Sequence, residues 1–171
     1  MTKRLTVLTM ILGAATLLPG SPKEPKSIAR EVRHELVMLP YYGIFDSLSY
    51  RVDGGTVTLF GQVARPSLKK DAEARVRDVE GVTQVINQIE VLPTSPSDDS
   101  LRRALHRAIY SKEPLQRYAM GAVPPIHIIV KNGNVTLEGA VANEADKNMA
   151  GMAANEVPGI FSVTNHLSIE P

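Results

Sequence analysis

The chain contains no cysteine and no tryptophan, and only 5% of its 171 residues are aromatic. Without cysteine there is no disulfide framework, thiolate zinc site, cysteine nucleophile or lipidated cysteine. The low aromatic content argues against a surface on which nucleic-acid bases stack. Lys and Arg number 19 and Asp and Glu 18, a net charge of +1, which argues against a broadly basic nucleic-acid-binding surface. We therefore expect no nucleic-acid partner.

Motifs that would mark a catalytic or metal site are also missing. The four histidines never show the i,i+4 spacing of a helical metal site; they are His34, His106, His127 and His166. No nucleophile-elbow sequence marks a serine as catalytic, and Gly54-Gly55 is typical of a hairpin turn and not of a phosphate loop. We expect no enzyme activity, cofactor or metal, and a hydrolase is the disfavoured alternative.

The first 21 residues have the pattern of a secretory signal peptide. Lys3 and Arg4 precede an apolar run from Leu5 to Leu18, which Pro19 and Gly20 end. These 14 positions fall short of the roughly 18 residues that a membrane-spanning helix needs. Small residues at Gly13-Ala14-Ala15 or at Gly20-Ser21 offer a cleavage site. The pattern predicts export to the periplasm or envelope of a bacterium, with an uncleaved anchor as the alternative.

The rest of the chain contains an internal repeat. Residues 52–93 align with residues 130–171 without a gap at an offset of 78, and 15 of the 42 aligned positions are identical. The unit occurs twice, so it indicates a tandem pair and not a solenoid. The first helices align at an offset nearer 73, so the second copy has about five additional residues between Lys112 and Pro125.

Each copy shows the same order of periodic segments, α-β-β-α-β. Apolar residues about four apart predict a helix over 28–39, and alternation predicts strands over 48–52 and 57–63. A second helix from Pro66 is expected to end at Gly81, before a final strand over 82–91. We expect one domain over 27–92, a linker over 93–100 and a second domain over 101–171, with Asp99 or Ser100 capping the next helix.

The repeated motif resembles the BON domain (bacterial OsmY and nodulation). It reads G-x-V-T-L-x-G-x-V over 55–63 and again over 133–141. The segments over 79–89 and 157–167 complete it. The resemblance implies two small α/β (α+β) modules, each a three-stranded sheet with two helices packed on one face. It also implies phospholipid binding, envelope integrity and stress tolerance, and it carries over no catalytic residue. Gly55 and Gly133 are expected to provide turn dihedrals, and Gly61 and Gly139 close approach by another element.

Positive charge is concentrated at the start of the second copy. Residues 101–118 contain five cationic side chains and one acidic side chain, Glu113, a local charge of +4. The helical period leaves the side chains of Arg102, Arg103, His106 and Arg107 facing outward. A basic surface of this kind attracts anionic lipid. The candidate lipid-binding residues are Arg102, Arg103, Arg107, Lys112, Arg117 and Tyr118.

Other interpretations of these surfaces remain open. The basic helix face is also compatible with a solvated surface without a ligand. Tyr110, Leu115, Tyr118 and Met120 are possible interfacial contacts, whereas Tyr41-Tyr42 and Ile44-Phe45 favour packing of the loop.

The rival hypothesis is an adaptor for an envelope protein partner, without direct lipid binding. Its contacts would lie on the less apolar sheet faces, Thr56/Thr58/Phe60 and Asn134/Thr136/Glu138.

Overall fold

A computed structural model describes residues 25–121 and 123–170 of the chain. The predicted signal peptide, residues 1–21, lies outside the described residues. The fold is mixed α+β and consists of two tandem modules with the same order of elements. We call residues 25–92 module 1 and residues 95–170 module 2.

Module 1 contains two helices and a small sheet. Its elements are α1 (Pro25–Val37), β1 (Ser47–Asp53), β2 (Thr56–Val63), α2 (Pro66–Arg77), β3 (Gln84–Asn87) and β4 (Glu90–Val91). Strand β1 runs antiparallel to β2, and β3 and β4 follow one another along the other side of β2, parallel to it. The final strand that the sequence predicts over 82–91 is therefore present in two segments.

Module 2 repeats this arrangement and adds a 3₁₀ helix. Its elements are α3 (Pro96–Tyr110), the 3₁₀ helix (Glu113–Ala119), β5 (Ile126–Lys131), β6 (Asn134–Val141), α4 (Glu144–Asn155), β7 (Ser162–Asn165) and β8 (Ser168–Ile169). Strand β6 is central, antiparallel to β5 and parallel to β7 and β8. The 3₁₀ helix occupies the additional residues that the repeat offset places between Lys112 and Pro125.

The two helices of each module pack on one face of its sheet. In β2 the buried residues are Val57, Leu59 and Val63, and in β6 they are Val135, Leu137 and Val141. Because side chains alternate across a strand, the residues between them lie on the opposite face, away from the helices. Each module thus has its own hydrophobic core.

Two glycines allow the paired strands to come together. A Cβ atom at Gly61 would lie 2.0 Å from the carbonyl oxygen of Ser47, and one at Gly139 would lie 1.9 Å from that of Pro125. Both glycines also have φ values above 100°, which other residues rarely adopt. The predicted close approach is confirmed at both positions.

One of the two predicted turn glycines does not have a positive φ. Gly133 has a φ of 76° after Asn132 at 52°, the pattern of a tight hairpin turn. In module 1 the positive φ belongs to Gly54 and not to Gly55. Gly55 is needed for space instead, because a Cβ atom there would lie 2.7 Å from Thr83 Oγ1.

The repeated asparagine of the motif bridges the gap in each final strand. Asn87 accepts a hydrogen bond from the Ile89 N–H at 3.1 Å and donates to the carbonyl of Lys69 at 2.8 Å. Asn165 does the same in module 2, with the Leu167 N–H at 3.2 Å and the carbonyl of Lys147 at 2.8 Å. The side chain satisfies backbone groups where the ladder is interrupted and ties the strand to the second helix.

Helix α3 begins earlier than the sequence predicts. Its first residue is Pro96, and its N-cap is Ser95, whose side chain accepts from the Asp98 N–H at 3.2 Å. Neither Asp99 nor Ser100 is the cap, and residues 96–100 lie in the helix and not in a linker. Asp98 instead accepts hydrogen bonds from the N–H groups of Asn132 and Gly133, at 2.8 and 2.9 Å.

The two modules meet through the segment that precedes β1. The backbone N–H of Ile128 donates to the carbonyl oxygen of Ile44 at 2.6 Å. Ile44 and Phe45 are half-buried and pack against the core of module 2. An exposed ion pair between Lys131 and Glu90, 2.5 Å long, also joins the modules. The loop of module 1 thus contributes apolar surface to its neighbour.

Polar groups at the same junction are buried and hydrogen-bonded. The ring of His127 stacks on Tyr42 with centroids 5.6 Å apart, and its Nδ1 atom lies 3.3 Å from the carbonyl oxygen of Gly43. Burial lowers the pKa of His127, against the opposing effects of Gly43 and Asp46. Asp46 accepts from the N–H groups of Gly43 and Ala64 at 3.2 and 2.8 Å. Burial raises the pKa of Asp46 despite these hydrogen bonds.

Candidate functional site

A groove with two exposed arginines lies at the junction of the modules. It has a volume of about 230 Å³ and is lined by Arg103, His106 and Arg107 of α3 and by Ile44 and Phe45 of module 1. We call this surface the basic groove. The three polar residues share one helix face because they are three and four positions apart. The groove combines positive charge with apolar surface from a segment about 60 residues away.

The two arginines of the basic groove have no acidic partner among residues 25–121 and 123–170. Arg103 donates to Ser100 Oγ at 3.1 Å, and both arginines are exposed. The His106 ring lies against Tyr110, with centroids 5.1 Å apart. Two guanidinium groups in this setting are available to bind an anion in solvent.

Arg102 does not face outward as the sequence predicts. Its relative exposure is 5%, and its guanidinium donates to the carbonyl oxygen of Val130 at 2.7 Å and to Asp99 at 2.5 Å. The Arg side chain is long enough to reach the edge of β5 from a helix position that the apolar period assigns to solvent. Arg102 is therefore a structural residue of module 2.

The remaining predicted residues form contacts within module 2. Lys112 pairs with Glu156 at 2.7 Å, and Arg117 pairs with the buried Asp146. The Tyr118 hydroxyl donates to Asp146 at 2.6 Å and accepts from the Arg117 guanidinium at 3.0 Å. Burial would raise the pKa of Asp146, but these hydrogen bonds outweigh it and hold that pKa below its ordinary value. Arg117 and Tyr118 of the 3₁₀ helix thus bind Asp146 of α4 and hold the two helices together.

Some of the apolar residues that the sequence suggests as interfacial contacts are buried, and others are exposed. Tyr110 and Leu115 are buried, whereas Met120 and Tyr41 are 80% and 73% exposed. Burial raises the pKa of Tyr110 to about 12, so its hydroxyl stays protonated and donates to the carbonyl of Ile126 at 2.9 Å. Of the four proposed interfacial residues, Met120 is the exposed one, and Tyr118 is half-buried.

Sequence reasoning did not identify Ile44 and Phe45 as part of the site. The loop from Tyr41 to Phe45 is more apolar than a solvated loop needs to be, which is the signal that was available. That signal indicates burial, but it does not indicate that the covering surface belongs to the other module. The contact depends on how the two modules are joined, which no periodic pattern within one module records.

A groove beside α1 of module 1 is acidic, although the α1 residues that correspond to Arg103, His106 and Arg107 at the offset of 73 are Arg30, Arg33 and His34. A groove of about 310 Å³ beside α1 is lined by Glu31, Glu35, Asp78 and Glu80, together with His34, Arg75 and Val79. Arg75 lies 3.8 Å from Glu35. The same fold thus presents opposite charge beside the first helix of its two copies, and an anionic surface would be attracted by one and repelled by the other.

The outer sheet faces, which the adaptor hypothesis uses, are largely polar. Arg51 lies over the Phe60 ring at 5.7 Å, and His166 Nδ1 lies 3.0 Å from Glu138. Ser162 donates to the Asn134 side chain at 2.7 Å. These faces form their own cross-strand contacts, and the structure does not test whether a partner binds there.

The described part of the chain shows neither a metal-binding cluster nor a membrane-spanning helix. No group of three or more His, Asp or Glu side chains there is arranged to hold a metal ion. Within the same residues, no helix has the length and apolar character needed to cross a bilayer.

The described residues form two tandem α+β modules with a charged groove at their junction, which is the architecture of a protein of repeated small domains. The BON domain matches residues 26–93 and again residues 97–171. The chain belongs to the BON domain family. The family consists of non-catalytic binding domains and is associated with phospholipid-binding proteins and the bacterial envelope.

Solved structures of low similarity also match. One is the C-terminal domain of CdsD, a structural protein of the type III secretion system of Chlamydia trachomatis, with 12% identity and a TM-score of 0.34 over 87% of this chain and 100% of that chain. A second CdsD structure has 13% identity and a TM-score of 0.33 over 85% and 93% of the two chains. No curated protein matches the sequence.

Proposed function

We propose that this protein binds anionic phospholipid at the bacterial envelope, reversibly and without catalysing a reaction, and that it thereby supports envelope integrity under stress. The observation that carries the proposal is the basic groove. Arg103 and Arg107 are exposed, have no acidic partner among the described residues and lie beside the apolar side chains of Ile44 and Phe45.

The expected binding is weak and electrostatic. Each Lys or Arg close to an anionic bilayer contributes about 1 kcal/mol, so Arg103 and Arg107 together contribute about 2 kcal/mol. Ile44 and Phe45 are already half-buried against module 2 and add only their remaining exposed surface. Binding dominated by exposed charges is screened by salt and reverses easily.

Charge determines which module faces the bilayer. The acidic groove of module 1 contains Glu31, Glu35, Asp78 and Glu80, so an anionic membrane repels it. The basic groove has no acidic lining residue. The protein therefore binds with α3 toward the lipid head groups and with the acidic groove away from them.

Vesicle flotation tests the proposal. Residues 22–171 contain every described element but not the apolar run over 5–18, which would itself bind bilayers. We expect this chain to float with vesicles that contain phosphatidylglycerol and not with pure phosphatidylcholine vesicles, and to be released by salt. Arg103→Glu with Arg107→Glu removes flotation because it reverses the charge of the groove.

The matched control reverses two exposed arginines on the first helix of module 1. Arg30→Glu with Arg33→Glu makes the same change in net charge and leaves the basic groove intact, so we expect flotation to persist. Equal loss of flotation in both double variants would indicate a response to net charge alone. That result, or flotation of the Arg103/Arg107 variant at the wild-type level, rules out the groove as the lipid site.

A further inference from the structure

The outer edge of β5 is covered at three places. The Ile126 carbonyl accepts from the Tyr110 hydroxyl at 2.9 Å, the Ile128 N–H donates to Ile44, and the Val130 carbonyl accepts from Arg102. In an antiparallel pair every second residue directs its N–H and C=O away from its partner strand. Two long side chains of α3 and the loop of module 1 thus protect an edge that would otherwise be open to another strand.

Strand β1 has the same register and lacks the same protection. Val52 pairs with Val57 as Val130 pairs with Val135, so Leu48, Tyr50 and Val52 direct their backbone groups outward. At the offset of 73, the residues of α1 that correspond to Arg102 and Tyr110 are Ala29 and Val37. Neither of these side chains has a hydrogen-bonding group.

The hydrogen bonds along the outer edge of β1 also differ from those along β5. The Leu48 N–H faces the Tyr42 hydroxyl, whose pKa burial raises to about 12. Outside the ladder, no residue of the described chain is hydrogen-bonded to the backbone of Tyr50 or Val52. The Tyr50 side chain turns to the helix and donates to the carbonyl of Ala29 at 2.8 Å. Among residues 25–121 and 123–170, nothing therefore pairs with the edge from Tyr50 to Val52.

The part of this edge from Leu48 to Tyr50 lines a cleft between the two modules. The cleft has a volume of about 600 Å³. Leu36, Val37 and Leu48 line it on the side of module 1, and Pro124 and Pro125 line it on the side of module 2. Its charged lining residues are Arg33 on α1 and Glu170 at the end of module 2.

We propose that the open edge of β1 binds an extended segment of a partner protein, which adds to the sheet as a further strand along Tyr50 to Val52 and continues into the cleft. Backbone N–H and C=O groups that recur every second residue match another extended backbone. The apolar lining selects apolar side chains at alternate positions of that segment. Arg33 and Glu170 select an acidic side chain toward module 1 and a basic one toward module 2.

The other possible occupants fit less well. In a second copy, β1 is itself flanked by the facing module, so two β1 edges cannot approach as freely as a single extended segment. The opposite edge of the sheet is interrupted, since β3 stops at the gap that Asn87 bridges. The proposed surface is separate from the basic groove and adds a protein partner to the proposed lipid binding.

Transfer of the protecting side chains from module 2 to module 1 tests this inference. Ala29→Arg with Val37→Tyr places an Arg and a Tyr where α3 has Arg102 and Tyr110. The side chain of Val37 is 45% exposed, and Ala29 is half-buried. Ala74→Arg, at an exposed position of α2, adds the same charge away from β1 and is the control.

Hydrogen exchange measured by NMR on the full chain provides the readout. The probe is a mixture of peptides of about six residues, a usual strand length, with apolar residues at alternate positions, Glu at one end and Lys at the other. In the free chain we expect the amides of Tyr50 and Val52 to exchange at least about tenfold faster than those of Ser49 and Arg51. The probe slows them about tenfold or more in the wild type and in Ala74→Arg, and not in the double variant.

Four results would overturn the proposal. The first is slow exchange of the Tyr50 and Val52 amides in the free chain. The second is no change in their exchange rates at about millimolar probe, and the third is an equal slowing in the double variant. The fourth is protection that rises with protein concentration and not with the probe, which would assign the edge to a second copy. Circular dichroism of the double variant establishes that it is folded before the comparison is made.

Discussion

The backbone N–H of Ile128 donates to the carbonyl oxygen of Ile44 at 2.6 Å, and this hydrogen bond joins the two modules beside the only loop of module 1 that packs on the described core of module 2. A core that uses a side chain of its neighbour depends on that neighbour for part of its stability. The modules are therefore expected to be coupled, with module 2 the more dependent of the two.

Phe45→Ala tests this coupling. Phe45 is half-buried against the core of module 2, so its truncation is expected to cost about 2 kcal/mol, roughly half the cost at a fully buried site. Native-state hydrogen exchange should show the loss at Leu105 in the core of module 2 and less of it at Leu59 in module 1. Tyr41→Ala, in the same loop and 73% exposed, is the control. Equal losses at Leu59 and Leu105 would contradict the expectation.

Adjacent arginines of α3 should have separable effects. Arg102→Met leaves the Val130 carbonyl without its partner, so we expect the free energy of unfolding to fall by about 2 kcal/mol. Lipid binding should remain wherever the variant is folded. Arg103→Met should change stability by less than about 0.5 kcal/mol and weaken flotation with anionic vesicles. Chemical denaturation and flotation measure the two effects, and the hypothesis fails if Arg102→Met reduces flotation more than Arg103→Met does.

The stability of the junction should decline in mild acid. Because burial lowers the pKa of folded His127, the unfolded chain binds the proton first as the pH falls through about 6.5. The contribution of His127 is thus present above that pH and is lost as the pH falls toward the folded-state pKa. Urea denaturation between about pH 7 and 5 should show a shallower decline in His127→Gln than in the wild type. The raised pKa of Asp46 acts in the opposite direction, and both chains contain it. Parallel pH profiles would exclude a role for His127.

Most of the fold follows from the repeat because its marks are local. Glycines where a strand approaches closely and valines at alternate positions each constrain a few neighbouring residues, and they occur twice. The predicted end of α2 at Gly81 was wrong, because the helix ends at Arg77 with Asp78 as its C-cap. The start of α3 was missed because Ser95 and Pro96 are typical both of a linker and of a capped helix with proline in its first turn. Apolar periodicity was strongest from Leu101 onward, so it placed the helix start too late.

The candidate site was harder to predict because it depends on long side chains and on contact between modules. The helical period predicts that Arg102 faces solvent. Its side chain is long enough, however, to reach the carbonyl oxygen of Val130. Lys112 and Arg117 contribute to a local excess of charge in the sequence, yet each has an acidic partner 44 or 29 residues away. Arg103 and Arg107 were predicted correctly as exposed. The apolar half of the groove comes from the other module.

The gap that Asn87 bridges has a consequence for the stoichiometry of any strand that joins this protein. Growth of a fibril or of an open-ended assembly by strand addition needs a usable edge on both sides of a sheet. In module 1 the far side is broken after four residues, and in module 2 the near side is capped by Arg102, Tyr110 and Ile44. For a strand added at β1 as proposed, module 1 therefore has only the interrupted β3 edge on its far side, so the addition does not extend readily through this protein.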